Sequence, residues 1–106
     1  MPATRVHEEQ LSQKLADDLR NVERNLYPDV VRIRFSLGDD WSGDPAIFFR
    51  VVLSDEVSRR ENLAEFTGVI GGKIFDDLRL AELDYVPYFD FRSEAEQRRL
   101  KSPEWD

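Results

Sequence analysis

Residues 30 to 53 read V-V-R-I-R-F-S-L-G-D-D-W-S-G-D-P-A-I-F-F-R-V-V-L, two alternating runs on either side of a polar turn. In the first run Val31, Ile33, Phe35 and Leu37 point one way, and Val30, Arg32, Arg34 and Ser36 the other. In the second, Ile47, Phe49, Val51 and Leu53 form an apolar side opposite Ala46, Phe48, Arg50, Val52 and Ser54. Period two with a polar outer side marks a half-buried strand. Joined by G-D-D-W-S-G-D-P, residues 38–45, the two predict an antiparallel hairpin. The second side of the second strand is apolar enough to need some cover.

Working outward, Leu11, Leu15, Leu19, Val22 and Leu26 recur at spacings of a helix face, so an amphipathic helix is expected from His7 to Leu26. Tyr27-Pro28 ends it, because proline disfavours helical geometry in the residue before it. Downstream, Ser58-Arg59-Arg60-Glu61 fits a capping box. It would open a second helix bearing Leu63, Phe66, Ile70, Ile74 and Leu78, ending near residues 80–83. Tyr85 to Arg92 reads as a third strand, placed at a sheet edge by Pro87. Ser93-Glu94-Ala95-Glu96 is a second capping box, opening a short helix to about Leu100. Residues 101–106 read as a loosely held tail. The order α-β-β-α-β-α predicts an α+β two-layer sandwich: a three-stranded mixed sheet with helices on one face. Its core side would hold Ile33, Phe35, Phe49, Val51, Phe89 and Phe91.

A chain of 106 residues is one domain, with its core expected between about residues 7 and 100. No apolar run approaches a membrane span, the first residues lack a signal-peptide core, and cysteine is absent. A cytoplasmic protein is therefore expected. Twenty-two acidic against fifteen basic residues give a formal charge of −7, which repels phosphate backbones and makes nucleic acid an unlikely partner.

Three stretches carry candidate chemistry. In the hairpin loop, Asp40, Ser42 and Asp44 alternate as calcium ligands do, but the sixth and twelfth positions hold Pro45 and Val51 where an EF-hand needs glycine and glutamate. The loop reads better as a structured turn, with Trp41 either plugging the end of the core or marking a contact surface. In the second helix, Gly68-Val69-Ile70-Gly71 has the G-x-x-G spacing of a KH loop. Its middle residues are apolar, however, and Ile70 belongs to the helix stripe. Glycines tolerated where the helix closely approaches another backbone explain it better. The third candidate is the sheet side away from the helices, where Arg32, Arg34, Arg50 and Arg92 stand with Phe48 and Tyr88. Arginine with aromatics is the mixture enriched at protein interfaces. The alternative is a solvated surface with local ion pairs, for instance between Asp90 and an arginine. The single histidine, His7, and three exposed loop aspartates give little support to catalysis, and no metal or cofactor is expected.

W-S-G-D-P-A-I-F-F-R, residues 41–50, with F-R-S-E-A-E-Q, residues 91–97, resembles a family of short, poorly characterised bacterial proteins. The resemblance implies the non-toxic member of toxin–antitoxin or defence-like gene pairs, and carries no binding residues over. The α-β-β-α-β order is also similar to KH-like domains. Together these readings predict a small non-catalytic protein-interaction module, antitoxin-like, that binds a protein partner and forms a homodimer. Its partner-binding residues would be Trp41, Arg32, Arg34, Phe48, Arg50, Tyr88 and Arg92. The alternative is a KH-like RNA-binding domain using the same arginines.

Overall fold

The computed structural model describes residues 2–106, with side chains from Glu8 onward, so the isolated His7 of the sequence reading lies outside the described side chains. Strands β1 (Val30–Asp39) and β2 (Pro45–Leu53) pair antiparallel, with Phe35 opposite Phe49 and Arg34 opposite Arg50. Strand β3 (Val86–Ser93) runs parallel to β2 on its other side, placing Phe89 beside Phe49 and Asp90 beside Arg50. The sheet is thus mixed, with order β1-β2-β3, and the fold is the expected α+β class. Pro87 lies on an edge strand, where its missing N–H costs no ladder bond.

Alternation fails at one point. The register shifts between Val30 and Arg32, and the irregularity turns Val30 into the core beside Ile33. Strict period two had assigned Val30 to the outer side.

Helix α1 (Pro2–Leu26) lays Leu15, Leu19 and Val22 over β1, and α3 (Leu63–Asp77) lays Ile70 and Ile74 over the sheet towards β3. Between β2 and α3 runs a single turn, α2 (Asp55–Ser58). Its cap is Ser54, whose Oγ accepts from the Val57 amide at 3.2 Å. Ser58 was expected to cap α3; instead it ends α2 and donates its hydroxyl back to the Ser54 carbonyl at 3.0 Å. Leu53 is buried and the chain must turn as soon as the strand ends, so the serine that leaves the strand takes the capping role.

The G-V-I-G stretch lies inside α3 and Ile70 is buried, so the exposed loop that a KH clamp requires is replaced by helix. Close backbone approach does not explain its glycines either. A Cβ on Gly71 would meet the Phe89 ring at an ordinary 3.7 Å, and at Gly68 and Gly72 it would meet open space. This bare helix surface leaves a shallow depression of about 450 Å³ beside Phe89 and Phe91. Phe89 stays half-buried there, whereas Phe49, stacked on it at 5.1 Å, is enclosed.

Helix α4 (Glu94–Leu100) starts as predicted, with Ser93 Oγ accepting from the Glu96 amide at 3.0 Å. The chain then reverses through a left-handed Lys101, φ 53°, into a 3₁₀ turn, Pro103–Trp105. This turn lies against β1 and β2 on the side away from α1 and α3. Trp105 is only 3% exposed, and Val52 on that side of β2 is fully buried. The loosely held tail of the sequence reading is corrected: a central strand apolar on both sides needs a second cover, and the tail carries the tryptophan that supplies it. Among the described residues no helix is long and apolar enough to cross a membrane.

Candidate functional site

The register brings Arg32, Arg34 and Arg50 to neighbouring positions of the hairpin, with Arg92 across β2 on β3. The tail then divides them. The Arg92 guanidinium stacks on the Trp105 ring, 4.2 Å from its centroid, and donates to Gln97 Oε1 and Ser102 Oγ, each at 2.9 Å. Arg32 Nε donates to the Trp105 carbonyl at 2.8 Å, and Arg34 Nε to the Asp106 carbonyl at 3.0 Å. Arg34 also pairs with Glu23 of α1 at 3.3 Å. Gln97, itself buried, donates from Nε2 to the Ser102 carbonyl and the Asp106 carboxylate. Arg32, Arg34 and Arg92 therefore hold the chain's own C-terminal segment. Tail carbonyls and an indole face satisfy these guanidiniums before any partner does.

Trp41, Phe48, Arg50 and Tyr88 occupy the other end of the sheet, beyond the tail, and these the structure brings together. Phe48 and Tyr88 stack at 5.5 Å with 15° between their planes. With Trp41, Arg50 and Asp90 they line an open groove of about 460 Å³ between the hairpin loop and the strands. The cross-strand ion pair considered for Asp90 does not form. Arg50 is its register neighbour, yet among the described residues Asp90 Oδ1 accepts only from the Phe91 amide, at 3.0 Å.

The loop is rigid by construction. Asp40 Oδ1 accepts from the amides of Ser42 and Asp44 at 2.9 Å and from Ser42 Oγ at 2.7 Å. Asp40 Oδ2 accepts from Tyr88 Oη at 2.8 Å, tying the loop to β3. Gly43 takes φ +88°, a conformation costly for any residue with a Cβ. The result lifts Trp41 clear of the protein: it is 92% exposed. A plug for the core is thereby excluded.

This bonding also sets the electrostatics. Hydrogen bonds, the one from Ser42 foremost, hold the Asp40 carboxyl well below its ordinary value, at about 2. The Tyr88 phenol is raised above its ordinary 10.0, because its hydroxyl donates a hydrogen bond to the Asp40 carboxylate. Both shifts move away from neutrality, the wrong direction for a general acid or base at pH 7. Among the described residues no group of three His, Cys, Asp or Glu side chains converges as a metal set would need. The alternating Asp40, Ser42 and Asp44 spend their oxygens on each other and on loop amides.

Sequence reasoning missed the tail's docking site. The signals were a β2 side bearing Phe48 and Val52 without any assigned cover, and an unplaced tryptophan five residues after a helix. No protein-family model, no curated protein and no solved structure matches the chain.

Proposed function

We propose that this chain is a small, non-catalytic, cytoplasmic protein-interaction module that contacts its partner through Trp41 and the Phe48–Tyr88 groove. The observation that carries this reading is Trp41, 92% exposed on a loop fixed by the Asp40 hydrogen bonds. An exposed indole contributes nothing to the fold. Held rigidly, it loses little entropy when buried by a partner, which is the property of an interface hot spot. Phe48, Tyr88 and the exposed Val86 supply apolar surface beside it, and Arg50 a guanidinium. The resemblance to the non-toxic member of bacterial gene pairs would make the neighbouring gene's product the first partner to test.

The test is co-purification from the native host with wild type and Trp41→Ala. The expected result is unchanged melting with loss of the partner. A partner retained at full yield by the folded variant overturns the reading. A homodimer through the outer side of the sheet would use Phe48 and Val86, because Val52 on that side is covered by the chain itself. Light scattering at high concentration decides that point.

A further inference from the structure

We infer that the partner surface seated on this patch is a cationic protein segment, an arginine- or lysine-bearing loop or tail. This rests on Trp41 being a contact residue and adds the sign of what it contacts. The sequence alone places four arginines on this side of the sheet, which would favour an acidic partner. The tail reverses that sign. With Arg32, Arg34 and Arg92 engaged by Ser102–Asp106 and Gln97, only Arg50 faces the groove. Three carboxylates, Asp39, Asp40 and Asp90, line the same groove, and Asp44 stands in the same loop. Asp40 is fixed as an anion by its hydrogen bonds, while Asp39 and Asp90 are exposed to solvent.

Beside these charges stands the side chain best suited to bind a cation by its ring face, a tryptophan 92% exposed. Carboxylates next to an open indole recognise a guanidinium or ammonium twice, by charge and by the ring quadrupole. At longer range a chain of net charge −7 draws in cations. A second copy would bring the same aspartates and the same indole, and a phosphate backbone would meet the aspartates. Neither complements the groove as a basic segment does.

The experiment is ¹⁵N–¹H correlation NMR on the full chain, whose two tryptophans give two indole signals. The probes are a Gly-Arg repeat peptide and a Gly-Glu peptide of equal length. The arginine peptide should shift the Trp41 indole and amides of residues 38–45 and 86–90, while the Trp105 indole stays in place and reports an intact fold. Affinity should fall roughly tenfold or more in Trp41→Ala, followed by the Tyr88 amide, and likewise in Asp39→Asn/Asp90→Asn. Equal or larger shifts with the glutamate peptide overturn the proposal. So do arginine-peptide shifts confined to the acidic surface of α1 around Asp17 and Asp18. Either of these results leaves the Trp41 contact standing if Trp41→Ala still loses the native partner. If that variant keeps its partner, the contact reading itself fails.

Discussion

The chain has two tryptophans in segments of nearly the same character, D-D-W-S-G-D-P and S-P-E-W-D. Both are short and acidic, with a serine and a proline close by. Trp41 sits in mid-chain between two strands and is 92% exposed; Trp105 sits in the last few residues and is 3% exposed. Position along the chain would suggest the opposite. What differs is what lies across from each ring. Trp105 faces an apolar strip of the central strand and three arginines that need acceptors. Trp41 faces a loop whose polar groups are already bonded to one another. A tryptophan is buried where an unsatisfied surface waits for it, and a self-sufficient turn gives it nowhere to go.

The contrast can be broken by substitution. Phe49→Ala sets the scale, since it removes an enclosed ring beside Phe35 and Phe89, and should cost about 3–5 kcal/mol in denaturant melts. Trp105→Ala should cost about 2–4 kcal/mol, somewhat less, because the tail can lift away before the sheet opens. A loss under about 0.5 kcal/mol there would mean that the tail is not part of the folded unit. Arg92→Ala removes the guanidinium from the indole and its bonds to Gln97 and Ser102, and about 1–2 kcal/mol is expected.

Asp40→Asn is selective for pH. The folded carboxyl titrates at about 2 against an ordinary 3.8, so its contribution is complete above about pH 4 and is lost as pH falls through about 2. The variant should melt below wild type at neutral pH and converge with it in acid. A constant gap across that range would show that the ionised form is not what holds the loop. Trp41→Ala is the smallest effect, within about 0.5 kcal/mol of wild type. A loss comparable to that of Trp105→Ala would abolish the distinction between the two rings.

Much of the architecture was legible because alternation and helix spacing record burial directly. Phe49 and Phe48 fell on opposite sides as read, and Ser93 capped its helix. Three features were not legible, each for a non-local reason. Val30 turned inward through a register shift that depends on its partner strand. Ser54 displaced Ser58 as a cap because the strand ended where it did. The arginines looked free because Arg32 and Arg34 find acceptors 73 and 72 residues away in sequence, in main-chain carbonyls that no pattern of side chains announces, while Arg92 stacks on the tryptophan of the same tail. The adjacency of Phe48, Arg50 and Tyr88 on one side of the sheet follows from strand phase, and the structure adds Trp41 beside them. Arg32, Arg34 and Arg92 shared that phase and were claimed by a segment the phase does not describe.

The parallel pairing of β2 with β3 also orders events in time. The hairpin closes across its short loop, whereas Ala46 meets Val86 only after the whole crossover is made, and Trp105 can dock only once β3 and α4 are in place. Until then the growing or refolding chain shows a central strand with Val52 bare and Arg32 without its Trp105 acceptor. Burial of the Trp105 indole is accordingly expected late in folding, and stopped-flow tryptophan fluorescence would time it.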